Sequence, residues 1–247
     1  MSQYSSFSDD YYVNMHLHTE MDLPDNRETL LHFFEQIRKT YPLMHNFYNR
    51  ARSDLVLEED KDSGSYRWVT LESRRICSGQ VNPSTIDSAI EQHSHVLEHV
   101  PYALSVSPLD CESLNIMFGF DYTYRGNHNE LLAEALGISP AFEPLVALPG
   151  ARIVGNEPCI QLALDSDCRT QCRVNVESRT TAAHMRAGEY PEEQLSVYLT
   201  ARRFGTPESG ESFVTTAHDL ANICRDIVER YLIENILQPL QTTISTM

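Results

Sequence analysis

Residues 114–124 have the sequence Leu-Asn-Ile-Met-Phe-Gly-Phe-Asp-Tyr-Thr-Tyr, in which an apolar or aromatic side chain occupies every second position. Because side chains on a β-strand point to opposite faces in turn, this alternation predicts a half-buried strand. In the preceding residues, apolar side chains recur with a period of two, which predicts strands, or of 3.6, which predicts helices. The predicted order is strand 11–20, helix 27–40, strand 50–58, strand 66–77 and helix 84–100. The first half therefore has the order β-α-β-β-α-β.

That order of elements resembles the ferredoxin-like fold, a four-stranded antiparallel sheet with two helices on one face. The resemblance implies a unit spanning residues 11–137, which follows a disordered lead of residues 1–10. A proline-rich passage then opens a second β-rich unit, 138–247. Its predicted elements are strands near 159–164, 168–177 and 195–203 and a long C-terminal helix near 212–237. We expect an α+β protein of two antiparallel-sheet α/β-sandwich units packed as one globule, the second a degenerate copy of the first.

The composition is typical of a soluble globular protein, with 41% hydrophobic and 22% charged residues. No apolar run approaches the roughly 20 residues that span a bilayer, and the N-terminus lacks the basic and apolar stretches of a secretory signal. The six cysteines are therefore expected to be reduced, in a cytoplasmic protein that does not contact membranes. A net charge of −16 disfavours nucleic acid as a partner, because it repels the phosphate backbone.

The segment His16-Leu17-His18-Thr19-Glu20 contains the first candidate metal ligands. Two imidazoles two positions apart on a strand project from the same face and could hold one ion. Residues 12–21 resemble the opening motif of the polymerase-and-histidinol-phosphatase family of metal-dependent phosphoesterases. That resemblance implies His16 and His18 as ligands at the end of a barrel strand. The later Asp-His turn of the family has no counterpart here, and the order of elements does not predict a parallel barrel, so we favour a chance similarity.

The second predicted helix contains another histidine pair, His95 and His99, at the i,i+4 spacing that lets two imidazoles share a metal. Zinc sites generally need three or more protein ligands, so a solvated surface is the simpler interpretation. A metal-dependent hydrolase would combine His16 and His18 with ligands from this helix or from acidic loops. A divalent metal is the only cofactor that this alternative requires.

Six aromatic residues could together form an exposed stacking face on the sheet, as in RNA-recognition motifs that share the predicted topology. They are Tyr66, Trp68, Phe118, Phe120, Tyr122 and Tyr124. Two other interpretations are open: these side chains could lie under the helices, or form the contact between the two units. The net charge favours these interpretations over a nucleic-acid surface.

The sequence contains no Gly-x-Ser-x-Gly elbow, no glycine-rich phosphate loop and no dinucleotide-binding fingerprint, so no residue is assigned a catalytic role. We therefore predict a non-catalytic binding module. It would bind a protein partner or a second copy of itself through a sheet edge or the aromatic face. The alternative from a different class is the metal-dependent hydrolase that uses His16 and His18.

Overall fold

A computed structural model describes residues 4–51, 54–208 and 210–247. The strands form a single sheet in the order β2-β3-β4-β5-β1-β6-β9-β8-β7, and every neighbouring pair is antiparallel. Their bounds are β1 Asp10–Thr19, β2 Asn46–Ala51, β3 Asp54–Glu58, β4 Tyr66–Glu72, β5 Arg75–Val81, β6 Cys111–Arg125, β7 Cys159–Ala163, β8 Thr170–Glu177 and β9 Glu192–Phe204.

The helices lie between and after these strands. They are α1 Arg27–Thr40, α2 Ile86–Ala103, α3 His128–Leu136, α4 Glu143–Val146, α5 Ala182–Ala187, α6 Phe213–Ile227 and α7 Gln238–Thr246, with a π-helical stretch, Val228–Leu237, joining the last two. Lys61–Ser63 and Pro108–Asp110 form short 3₁₀ turns. The long C-terminal helix predicted near 212–237 is thus α6 and its π-helical continuation.

The prediction of an α+β protein with antiparallel strands is confirmed, but its division into two separate sheets is not found. Strands β1 and β6 pair from Asp10↔Asp121 to His18↔Ser113, and β6 pairs with β9 from Ser113↔Phe204 to Arg125↔Glu192. The edges of the two predicted sheets therefore satisfy each other's backbone hydrogen bonds.

The ferredoxin-like order is also not observed, because four strands lie between α1 and α2, where the sequence predicted two. The predicted strand 50–58 covers the last two residues of β2 and all of β3, and its residues 52 and 53 lie outside the described part of the chain. The predicted strand 66–77 contains β4, a turn at Ser73 and Arg74, and the beginning of β5. Neither turn residue is the Gly, Pro, Asn or Asp that usually marks a tight hairpin, so no strong local signal indicates this reversal.

The helices follow the sequence pattern closely. Helix α1 spans the predicted 27–40, and the Asn26 side chain caps it by accepting a 2.9 Å hydrogen bond from the Glu28 N–H. Helix α2 begins later than predicted, with Thr85 as its N-cap, and continues past Pro101 to Ala103. Both helices bury apolar side chains in the core.

One face of the sheet forms the core with α1, α2, α3, α6 and α7. On β1 the odd-numbered residues face these helices, and Val13, Met15 and Leu17 are fully buried. Part of the predicted disordered lead also joins the core: Tyr4 is buried, with its ring centroid 5.8 Å from that of Tyr11. Residues 1–3 of that lead lie outside the described part of the chain.

The opposite face of the sheet, here called the polar face, carries the even-numbered residues of β1 and the odd-numbered residues of β6. The two halves of the chain also share an order of connections. In each half a central strand is followed by a helix, an antiparallel meander that returns to that strand, and a further helix; the second half also contains α4 before the meander and α5 within it. The meander is β2–β5 in the first half and β7–β9 in the second.

Candidate functional site

His16 and His18 both lie on the polar face, as the sequence predicted, with ring centroids 6.4 Å apart. His16 is opposite Cys77 and Asn115, and His18 is opposite Arg75 and Ser113. Burial and, to a smaller extent, the positive charges of Arg75, His18 and Arg202 together lower the pKa of His16 to about 4. Burial also lowers the pKa of His18, so both imidazoles are neutral at pH 7. Arg75 and Arg202 place positive charge near both rings, and Glu72 and Glu112 partly offset it at His18.

His95 and His99 contact each other on α2, with ring centroids 4.6 Å apart. Helix α2 covers the other face of the sheet: the adjacent His93 is fully buried, and its Nδ1 lies 3.0 Å from the Ser78 hydroxyl. The two histidine pairs are thus on opposite sides of the sheet and do not converge. Among the residues that the structure describes, no group of three or more His, Cys, Asp and Glu side chains is placed to hold a metal ion.

The predicted aromatic face is divided between the two sides of the sheet. Phe118, Phe120 and Tyr122 are buried in the core under the helices, because even-numbered positions of the central strand β6 face that side. Tyr124 lies on the same side, 5.9 Å from the His128 ring. Tyr66 and Trp68 lie on the polar face. A continuous aromatic stacking surface therefore does not form.

The centre of the polar face carries arginines that sequence reasoning did not assign to a site. Cross-strand pairing aligns His16, Asn115, Arg202 and Gln171 in one row on β1, β6, β9 and β8. The Nε atom of Arg202 donates a 2.8 Å hydrogen bond to Asn115 Oδ1. Polar residues alternate along 169–177, but that pattern does not reveal which strand lies beside them.

A groove of about 390 Å³ lies on the polar face over β6–β9. Arg173 and Arg202 contribute its positive charges, and burial together with the charge of Arg173 lowers the pKa of Arg202. The remaining lining residues are mostly hydrogen-bonding and uncharged: Met117, Gln161, Gln171, Asn175, Glu177, Tyr198 and Thr200.

The outermost strand, β7, is the second candidate surface. It pairs only with β8, and all five of its residues are exposed. Ile160, Leu162 and Leu164 share the face of the sheet that the helices cover elsewhere, yet they are 55%, 48% and 44% exposed. The helical layer therefore stops short of this edge, which leaves an apolar row beside an unpaired backbone.

The segment before β7 is held by a buried amide in α3. Asn129 is fully buried; its Nδ2 donates to the Val154 carbonyl at 3.1 Å, and its Oδ1 accepts from the Asn156 N–H at 2.9 Å. This connection fixes the approach to β7. Several apolar side chains upstream are also exposed, namely Phe142, Leu145, Val146 and Leu148.

The comparisons with known proteins give no family: no protein-family model matches this sequence, and no curated protein resembles it closely enough to count as a relative. No helix in the described ranges is both long and apolar enough to cross a membrane.

Proposed function

We propose that this protein is a non-catalytic binding module that recognises an extended segment of a partner protein along β7. The observation that carries the proposal is the apolar row of Ile160, Leu162 and Leu164 beside the unpaired edge of that strand. Edge strands that avoid unwanted pairing usually carry charged residues, proline or a bulge, and β7 has none of these. An added strand would gain backbone hydrogen bonds from the edge and apolar contacts from the row.

The charges around β7 favour a partner segment with basic flanks. The strand itself is uncharged, but Glu157 precedes it and Asp165 and Asp167 follow it. In an antiparallel pair of two β7 strands centred on Gln161, Glu157 of each copy would face Asp165 of the other. This repulsion, added to the net charge of −16, disfavours a second copy as the occupant. A partner segment with alternating apolar residues could pack against the apolar row, and lysines or arginines at its ends could pair with the acidic flanks of β7.

A fluorescently labelled peptide with alternating valine and threonine and two lysines at each end tests this proposal by anisotropy. We expect saturable binding to the wild-type protein and about tenfold weaker binding to the Ile160→Ser/Leu162→Ser variant. The matched control is Phe47→Ser, which removes an exposed apolar side chain from the opposite edge strand, β2, and leaves binding unchanged. A peptide with glutamates in place of the lysines should bind more weakly.

Hydrogen exchange and light scattering distinguish the remaining outcomes. Protection of β7 amides by the peptide supports strand addition, whereas binding without such protection, or equal binding to the serine variant, contradicts it. Light scattering should give a mass near the 28.2 kDa of one chain. A dimer that the Ile160→Ser/Leu162→Ser variant disrupts would show that a second copy occupies the edge, and would overturn the proposed partner.

A further inference from the structure

We propose that the groove between Arg173 and Arg202 is a binding site for a small molecule that carries an oxyanion group, either a phosphate or a carboxylate. This site lies on the polar face, whereas the apolar row of β7 lies on the opposite face of the sheet. The inference therefore does not depend on the proposed binding of a partner segment.

The first observation is that two like charges are placed together without an ion pair to either, although the Glu112 carboxylate partly offsets the charge of Arg202. Arg202 is opposite Gln171, and Arg173 is two residues further along the same strand and on the same face. Diagonal neighbours of this kind lie close enough for long side chains to interact. Within residues 4–51, 54–208 and 210–247, neither guanidinium has a carboxylate within ion-pair distance, although the whole chain has 35 Asp and Glu against 19 Lys and Arg.

The adjacent residue Arg203, in contrast, has acidic partners. Arg203 points to the helical side and pairs with Glu211 at 3.3 Å and Asp219 at 3.8 Å. Arg202, one position earlier on the same strand, points to the groove and contacts the uncharged amide of Asn115 instead. The positive charge of Arg202 is thus left available to a ligand.

The second observation is the orientation of Arg202. Its Nε is engaged by Asn115 at 2.8 Å, and its guanidinium lies 5.4 Å from the Phe204 ring centroid. These two contacts hold the planar group and leave its terminal N–H donors for an acceptor. A fixed guanidinium loses less conformational entropy when it binds an oxyanion, which it can do through two parallel hydrogen bonds.

The third observation is that the rest of the groove favours an anion with hydrogen-bonding substituents. The side chains of Gln171, Asn175 and Thr200 supply amide and hydroxyl groups. The one carboxylate in the lining, Glu177, pairs with Arg179 at 3.3 Å and accepts a hydrogen bond from Asn175. Its negative charge is therefore partly compensated and does not cancel that of the arginine pair.

Isothermal titration with inorganic phosphate and, separately, with acetate tests this inference on the full chain. We expect one of the two anions to bind, with a dissociation constant about tenfold higher in Arg202→Gln and in Arg173→Gln than in the wild type. Arg38→Gln is the matched control: it removes the same charge from an exposed position of α1 and should leave binding unchanged. Circular dichroism should verify that each variant is folded. Arg173 is exposed, so its replacement should not disturb the core.

The two titrations identify the anionic group that the groove binds. Phosphate binding identifies a phosphate group as the ligand feature, and acetate binding without phosphate binding identifies a carboxylate. Binding of neither anion, or equal weakening in Arg38→Gln, overturns the inference. The Ile160→Ser/Leu162→Ser variant should bind the anion like the wild type, so failure of the strand-addition proposal does not affect this result.

Discussion

The indole of Trp68 lies directly over Gly79, its cross-strand neighbour, and occupies the space that a Cβ atom at position 79 would need. The same arrangement recurs on the central pair of strands, where the Tyr12 ring covers Gly119. Both pairs lie on the polar face. A glycine inside a strand weakens it unless another group packs closely against its backbone, and here an aromatic ring does so.

Replacement of Gly119 by alanine should destabilise the protein by about 1–3 kcal/mol, because the added methyl group must displace the Tyr12 ring. Urea-induced unfolding measures the change. Gly155→Ala is the control: Gly155 has open space around its Cβ position and no positive φ angle, so its replacement should have little effect. Equal stability of wild type and Gly119→Ala would contradict the close packing of Tyr12.

The burial of Phe118 predicts a large effect of its truncation. Phe118→Ala should lower the free energy of unfolding by about 3–5 kcal/mol, because Phe118 is fully buried in the core. The aromatic control is Tyr102→Ala; Tyr102 is 90% exposed, and its removal should change stability by no more than about 0.5 kcal/mol. If Phe118→Ala were as stable as the control, Phe118 would belong to an exposed aromatic face after all.

The fully buried His93 makes the protein sensitive to acid. Burial lowers the pKa of His93 to about 3 in the folded state, whereas an unfolded histidine has a pKa of about 6.5. As pH falls below 6.5 the unfolded state takes up a proton first. The contribution of neutral His93 is therefore complete above that pH and is lost as pH falls towards 3.

As pH falls from 7 to 5, the titration of His93 alone should reduce the free energy of unfolding by an amount on the order of 2 kcal/mol. Unfolding curves of His93→Gln should show a smaller loss of stability between pH 7 and pH 5 than those of the wild type. His32→Gln, at an exposed position of α1, should keep the pH dependence of the wild type. An unchanged slope in His93→Gln would mean that the imidazole is protonated in the folded state.

The six thiols should divide sharply in reactivity. Cys159 and Cys168 are exposed, and Cys77, Cys111, Cys172 and Cys224 are buried. Burial raises the pKa of Cys77 to about 12 and that of Cys111 to about 11, so these thiols hold few reactive thiolates at pH 8. Ellman's reagent should therefore modify two thiols rapidly in the folded protein and all six after denaturation. The Cys159→Ser/Cys168→Ser variant should lose the rapid phase, and a remaining rapid phase would contradict the burial of the other four.

Local patterns in the sequence identified most of the elements. The apolar stripe of 27–40 and the cap at Asn26 define α1, and the alternation of 114–124 defines the greater part of β6. Because side chains alternate between the two faces of a strand, the spacing of His16 and His18 also showed that they share a face. These features depend on side-chain periodicity and on hydrogen bonds between near neighbours, which the order of residues fixes directly.

The alternation could not tell which face of each strand is covered. The aromatic residues of β6 were open to interpretation as a binding face or as core, and only the packing of the helices placed Phe118 inside. The hairpin turn at Ser73 and Arg74 was likewise missed, since those residue types do not require a reversal of the chain.

Local sequence patterns were sufficient to predict the α+β class, the main strand and helix segments, and the acidic character of the chain. Long-range packing shows that the described strands form one sheet and that the histidine pairs lie on opposite sides of it. It also places Arg202 beside Asn115, 87 residues earlier in the chain. The physical reason is that periodicity records which side of a strand is apolar, whereas strand order and register depend on non-local hydrogen bonds and on the burial of one whole face.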